Sequence, residues 1–303
     1  MLEDISYISQ DFSKKINNKI TRYPFISQYE YENYYFHYHK MFSLFFKNDW
    51  EELDFCEGYK KKIFEFIKNN TKYNNTKIKK LIKTINNMGK RNDFLMKALQ
   101  FYTSENEFVY FINRIMRQID RGATKLSFLI GPMYYSLIRY VKRNPKFALQ
   151  KDTILYRNIV TNLYDLNVFN MAKNKIICFP SFTSTSLKKN SFETTDKALG
   201  VNNLKGIKTA RILMILHYKH NSSNLPQSMN ITEFSKNKKE KEVLFFPFTF
   251  VKVNSLKEVY DNSIDDIIYE LDCNIINRNN FIEFDLKKNK NVYLRDGIFI
   301  CDL

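Results

Sequence analysis

The chain has 303 residues, of which 44% are apolar and 16% aromatic, so it can bury a large core and is not intrinsically disordered. Its formal net charge is +16, which favours contact with an anionic partner such as nucleic acid, a membrane surface, an acidic protein or a phosphorylated small molecule. A composition biased towards lysine would give the same charge without such a partner.

The spacing of cysteine and histidine residues argues against a disulfide-bonded protein and against a zinc protein. The four cysteines lie apart without a CxxC pair, and the four histidines lack zinc-ligand spacing, so we expect free thiols and no metal site. The first residues do not form a signal peptide, and no apolar run reaches the roughly 18 residues of a membrane span. We therefore expect a protein of the cytoplasm, or an effector delivered into another cell.

The first half of the chain is predicted to be helical. Residues 60–91 carry lysines opposite an apolar stripe, which gives a cationic amphipathic surface suited to an anionic surface or partner. A solvated helix face over an ordinary core is the alternative interpretation. Residues 92–120 predict two helices, the second of which begins at a capping box formed by Ser104 and Glu107.

After residue 150 the chain is predicted to form strands. Short segments rich in β-branched and aromatic residues begin at Thr153, Phe182, Thr209, Glu242 and Asn291. Helices followed by strands predict an α+β fold without βαβ alternation. The glycines form neither a GxGxxG fingerprint nor a P-loop, so any nucleotide must be bound in another way.

A pair of glutamates stands one residue apart where an apolar segment begins. If Glu240 and Glu242 both lie on a strand, they face the same side, because alternate side chains of a strand share a face. Two like charges in one space favour a cation nearby. A solvated strand end is the alternative interpretation.

Two earlier segments carry polar residues in apolar surroundings. Ser184, Thr185 and Ser186 can bind a polar ligand or hold a carboxylate, although such residues are also common at strand edges. Arg157 lies inside an apolar run, and a buried guanidinium requires an anionic or carbonyl partner. A structural salt bridge and a bound phosphate would both satisfy it.

In chain order, Arg157, Ser184 and the Glu240/Glu242 pair resemble the R-S-E class of mono-ADP-ribosyltransferases, which includes arginine-specific enzymes and bacterial toxins. The segment ALQFYTSENEFVYFINRIMRQ resembles the family's helix pair, and EKEVLFFPFTFVKV resembles its strand with the catalytic glutamate. The resemblance spans residues 92–253. It implies two packed antiparallel β-sheets flanked by helices, in a catalytic domain of residues 92–303 that follows a basic helical region of residues 1–91.

The resemblance also implies a role for each acidic residue. Glu242 would hydrogen-bond the nicotinamide ribose and stabilise the positive charge that forms as nicotinamide leaves, which is what an oxocarbenium-like transition state requires. Glu240 would hold the acceptor arginine, since a carboxylate can pair bidentately with a guanidinium. Ser184 would position Glu242 and the ribose.

Further residues are implied to surround NAD. Arg157 and Arg117 would hold the phosphates and the adenosine end with the help of Asn113, and Tyr102 would shape the floor of the site. Besides Ser184, the NAD-binding residues implied are Arg157, Arg117, Asn113, Tyr102, Thr185 and Ser186.

The chain also departs from the family pattern. Asn158 stands where the family often has glycine and is expected to narrow the approach to NAD, and Phe234 is the candidate for the aromatic residue that contacts the acceptor. Lysines crowd the segment before the glutamate pair, where they would either steer an acidic target or repel a basic peptide. These lysines are Lys236, Lys238, Lys239 and Lys241.

The resemblance therefore implies a transferase with NAD as its substrate, a protein arginine as its acceptor, and no metal or nucleic acid required. A first alternative is an NAD glycohydrolase, in which water replaces arginine. A second alternative is a non-catalytic module that binds nucleic acid or membrane through residues 60–91.

Overall fold

The computed structural model describes residues 137–138, 140–163, 166–190, 192, 208–220, 226–235 and 238–277, with residues 26–27, 83, 292–295 and 298–301. The predicted helices of residues 60–120 lie outside these ranges except at Lys83, which is helical. Tyr102, Asn113 and Arg117 also lie outside them, and the domain boundary at residue 91 stays a prediction. Within these ranges no helix has the length and apolar character needed to cross a membrane.

Most of the described chain is strand. Helix α1 (Leu166–Met171) and two 3-10 turns, Pro145–Phe147 and Lys238–Glu240, have both ends within the described residues. Residues 137–138 and 140–143 are also helical. The strands are β1 (Ile26–Ser27), β2 (Thr153–Asn162), β3 (Ile176–Phe179), β4 (Thr183–Ser186), β5 (Thr209–Tyr218), β6 (Ser228–Asn230), β7 (Glu242–Phe245), β8 (Thr249–Asp261), β9 (Asp266–Ile275), β10 (Val292–Arg295) and β11 (Ile298–Cys301).

The described strands form one large mixed sheet and one separate hairpin. The large sheet has the order β1-β3-β8-β9-β5-β2-β4-β7-β6, and β10 pairs with β11. The prediction of two antiparallel sheets is therefore wrong for the described residues. Strands β5 and β9 run parallel, from the pair Ile212 and Tyr269 to the pair His217 and Asn274, and they join what would otherwise be two sheets.

The sheet nevertheless folds back on itself. In strand order β7 and β8 are five steps apart, which is about 24 Å across a flat sheet. Only three residues lie between Phe245 and Thr249, and the four Cα–Cα steps that join these two residues span at most about 14 Å. The same argument applies from Phe179 to Thr183, and the Phe248 N–H donates to the Phe179 carbonyl at 2.8 Å. The two halves of the sheet must therefore face each other.

The main core lies between these two halves. Its buried residues come from both ends of the strand order, so one cluster holds the curled sheet together. Among its members are Leu155 and Ile159 of β2, Ile177 and Phe179 of β3, Met214 and Leu216 of β5, Val243 and Phe245 of β7, Val251 and Val253 of β8, and Leu271 and Cys273 of β9.

Two of the four cysteine side chains are described. Cys178 and Cys273 are both buried, and neither is part of a disulfide bond. Burial raises the pKa of the Cys273 thiol far above its usual range, so this group stays protonated and acts as a small apolar side chain.

A polar cluster crosses the junction of β5, β9 and β8. Asp272 Oδ2 lies 2.7 Å from His217 Nε2, and Asn254 Nδ2 donates to Asp272 Oδ1 at 2.6 Å. Asn254 stands at the register shift of β8, and Asn274 Nδ2 donates to its side-chain oxygen at 3.2 Å. Burial raises the pKa of Asp272, but the hydrogen bonds from Asn254 and His217 outweigh it and hold the pKa below the ordinary value of 3.8.

We expect this cluster to make the free energy of unfolding depend on pH in the acid range. Because the folded pKa of Asp272 is lower than the unfolded one, its contribution to stability is present above pH 3.8 and is lost as pH falls through the folded pKa. We expect the Asp272→Asn protein to lose less free energy of unfolding than the wild type between about pH 5 and pH 2, as measured by denaturant titration. Asn254→Ala should flatten the profile in the same direction. An unchanged pH dependence in Asp272→Asn would contradict the assignment.

Candidate active site

The candidate site lies where β4 and β7 pair. Ser186 is directly opposite Glu242, and Thr185 is directly opposite Val243. Opposite residues share a face and successive residues alternate, so Ser184, Ser186 and Glu242 lie on one face of these strands. Thr185 and Val243 lie on the other face, where Val243 joins the core.

Glu242 is fixed both by its side chain and by its main chain. It is only 6% exposed, and Ser184 Oγ donates a 2.6 Å hydrogen bond to its Oε1. The Glu242 carbonyl accepts the Ile231 N–H at 2.9 Å on the side away from β4. The first residue of β7 is therefore held from both sides, and the buried carboxylate has a defined position.

Arg157 braces the strand that carries Ser184. Strands β2 and β4 pair at a single position, Tyr156 opposite Ser186. The half-buried Arg157 donates from Nη1 to the carbonyl of Ser184, two residues before this pair, at 2.8 Å. A main-chain carbonyl is therefore one partner of this guanidinium. Arg157, Ser184 and Glu242 form a continuous chain of hydrogen bonds.

Glu240 does not lie on the strand. It ends the 3-10 turn Lys238–Glu240, and β7 begins at Glu242. Between them Lys241 has a φ of 48°, in the left-handed region that breaks the alternation of a strand. The expectation that alternation places both carboxylates on one strand face is therefore wrong. Glu240 is half-buried, and its carbonyl accepts a 2.5 Å bond from Ser186 Oγ.

The other two hydroxyl groups bind main-chain groups. Thr185 Oγ1 donates to the Val243 carbonyl at 2.8 Å. Ser186 Oγ, besides donating to Glu240, accepts the Lys188 N–H at 2.9 Å. Both side chains hold the β7 segment against β4, and their contact with NAD stays a prediction.

Phe234 and Asn158 make contacts that differ from those expected from the sequence. Phe234 is 5% exposed, and its ring packs on Tyr140 and Phe147 at centroid distances of 5.9 and 5.3 Å. The expectation that Phe234 contacts the acceptor is wrong, because its surface is used in this aromatic cluster. Asn158 Nδ2 donates to the Asn190 carbonyl at 3.1 Å, so it fixes the segment that follows β4.

The sequence analysis missed one residue that positions Glu242. Ile231 acts through its main-chain N–H, which no side-chain pattern could indicate. In the ranges that the structure covers, no group of three or more His, Cys, Asp or Glu side chains could hold a metal ion.

Known protein families and the sequences of curated proteins give no match to this chain. Among solved structures it is similar to the Vis toxin, an ADP-ribosyltransferase from Vibrio splendidus, with 17% identity, a TM-score of 0.39, and coverage of 68% of this chain and 88% of that one. It is also similar to the ADP-ribosyltransferase HopU1 of Pseudomonas syringae, with 15% identity, a TM-score of 0.44, and coverage of 61% of this chain and 77% of that one. A third similar structure is the type III effector XopAI of Xanthomonas axonopodis, with 13% identity, a TM-score of 0.43, and coverage of 83% of this chain and 95% of that one. These TM-scores are too low to establish a family, so the proposal below rests on the residues of this chain.

The brace at Arg157 can be tested by stability. Replacing Arg157 with Met removes a charged hydrogen bond to a main-chain carbonyl in a half-buried position, and we expect a loss of about 1.5–3 kcal/mol in the free energy of unfolding. Arg211→Met is the matched control on the neighbouring strand. It breaks an ion pair between Arg211, whose side chain is 16% exposed, and Asp266, whose side chain is 51% exposed. Because the carboxylate partner stays in contact with water, the loss should be smaller, about 0–1 kcal/mol. Equal losses in the two variants would contradict the bracing role.

Proposed function

We propose that this chain is an NAD-dependent mono-ADP-ribosyltransferase that transfers ADP-ribose to arginine side chains of a protein and releases nicotinamide. The observation that carries the proposal is the 2.6 Å hydrogen bond from Ser184 to a Glu242 carboxylate that is 6% exposed. Burying a carboxylate costs free energy unless the group is hydrogen-bonded or paired with a charge. Its fixed position is what the departure of a sugar-bound base requires.

The reaction needs a negative charge at a defined place. When nicotinamide leaves with the electron pair of the glycosidic bond, positive charge develops on the ribose ring, as in other glycosidic cleavages. A carboxylate held in advance stabilises that charge without the cost of reorganising water. In the proposal Glu242 is this carboxylate. Ser184, which donates to Oε1, keeps the carboxylate in one orientation.

Binding of NAD is assigned to the cationic and hydroxyl groups near Glu242. The guanidinium of Arg157 lies next to Ser184, and a guanidinium is suited to bind phosphate oxygens. Ser186, on the same strand face as Glu242, completes the described part of the proposed NAD site. Thr185 lies on the other face, and its assignment to NAD, like that of Arg117, Asn113 and Tyr102, rests on the family resemblance alone.

Transfer to arginine is assigned to Glu240. A guanidino nitrogen attacks the anomeric carbon as nicotinamide departs, and the nitrogen loses a proton on forming the new bond. A carboxylate near the nucleophile can hold the guanidinium and accept this proton. Glu240 is two residues from Glu242, and the Ser186 hydroxyl donates to its main-chain carbonyl, so the backbone that carries the acceptor-holding carboxylate is fixed relative to Glu242.

Hydrolysis of NAD is the second candidate function. Lys239 and Lys241, on either side of Glu240, are both exposed. Their charges oppose the approach of an isolated guanidinium, which is itself a cation, but they do not oppose water. A glycohydrolase would need Glu242 and would not need Glu240 to hold an arginine.

Labelled NAD distinguishes these functions. The pure protein is incubated with NAD labelled in its adenylate part and with an arginine-containing protein, and we expect label on the protein and release of nicotinamide. Glu242→Gln should lower both by roughly 100-fold or more, since it removes a group that acts on the developing charge. Glu240→Gln should lower transfer more than hydrolysis.

The control is Glu233→Gln, which changes an exposed carboxylate in the preceding segment and should keep full activity. Free ADP-ribose without labelled protein would support the glycohydrolase and contradict transfer. No release of nicotinamide at all would contradict both activities and favour the non-catalytic basic module.

A further inference from the structure

Exposed lysines surround the turn that carries Glu240. We call this set the lysine rim: Lys188, Lys189, Lys238, Lys239 and Lys241, all of them exposed. They come from two segments of the chain, one following β4 and one preceding β7. Their clustering is therefore a property of the fold as well as of the sequence.

Hydrogen bonds hold the two segments of the lysine rim together. The Leu187 N–H donates to the Lys241 carbonyl at 3.2 Å. Ser186 Oγ bridges the segments, because it donates to the Glu240 carbonyl at 2.5 Å and accepts the Lys188 N–H at 2.9 Å. The rim is thus a positioned surface whose backbone is tied at several points.

The lysine rim borders the route to Glu242. Lys241 directly precedes Glu242, and Lys188 lies two residues after Ser186, which is opposite Glu242 in the strand register. Glu242 is 6% exposed, so a protein acceptor can bring only one side chain to it. The residues on either side of that acceptor arginine must then lie against the rim.

The charge of the rim is mostly not neutralised within the described residues. Lys189 makes an ion pair with Glu270 at 3.7 Å, and no ion pair of Lys188, Lys238, Lys239 or Lys241 with another described residue is found. Four neighbouring cations repel a lone guanidinium or a basic peptide and attract an acidic surface. The acceptor arginine therefore needs acidic neighbours to reach Glu240.

We propose that the acceptor is an arginine set in an acidic protein surface, with Asp or Glu on either side of it lying against the lysine rim. This inference rests on the proposed transferase function and specifies its substrate. A nucleic acid fits the site less well, because the half-buried Glu240 in the middle of the rim would repel a phosphate and attract a guanidinium.

Three peptides that differ only around one central arginine test this inference. Their flanking residues are Asp and Glu in the first, Ser in the second and Lys in the third. We expect kcat/KM for ADP-ribose transfer to be about tenfold or more higher for the acidic than for the lysine-flanked peptide at low ionic strength. The ratio should fall towards one as salt is raised, because screening weakens interactions between exposed charges.

Paired lysine variants locate the effect. Lys238→Ser with Lys239→Ser should reduce the ratio between the acidic and lysine-flanked peptides severalfold. The matched control is Lys151→Ser with Lys219→Ser, which removes the same charge at exposed positions away from the rim and should leave the ratio unchanged. The wild-type ratio and its salt dependence test the proposal even if a variant folds poorly.

Four results would overturn the inference. Equal kcat/KM for the three peptides would exclude recognition of acidic neighbours. Rim variants that raise KM for NAD without changing the peptide ratio would assign the lysines to the phosphates of NAD. Label on DNA or RNA in place of the peptides would make nucleic acid the acceptor. Absence of nicotinamide release with every acceptor would instead contradict the proposed function itself, and this inference with it.

Discussion

The hydrogen bond between Ser184 and Glu242 is the interaction on which the proposed chemistry depends. A carboxylate can support a departing base only if it stays in place while charge develops on the sugar. Three contacts outside the carboxylate serve this end. Ile231 holds the Glu242 main chain, Thr185 ties β4 to β7, and Arg157 anchors the Ser184 carbonyl.

The curled sheet explains how such a small site can be rigid. Strands β4 and β7 belong to one half of the sheet, and the short connection from Phe245 to Thr249 forces that half against β8 and β3. Side chains of β7 such as Val243 are therefore packed in the shared core while Glu242 lies on the opposite face. Burial on one face of β7 fixes the position of the functional residue on the other.

Sequence patterns predicted the strands at Thr153 and Thr209 because long β-branched runs of this kind are distinctive. They missed β9, where charged residues such as the exposed Asp266 and the half-buried Glu270 hide the pattern. The split of the segment from Glu242 into β7 and β8 had a signal in Pro247, which a central strand rarely contains. The left-handed turn at Lys241 had none, because lysine does not favour that conformation.

The central claim is that Ser184 acts through Glu242, and a double-mutant cycle on nicotinamide release from NAD tests it most directly. Ser184→Ala alone should slow release by about tenfold or more, because the carboxylate loses its orientation. In the Glu242→Gln background the same change should have little further effect, since there is no carboxylate left to orient. Losses that simply multiply in the double variant would contradict the account.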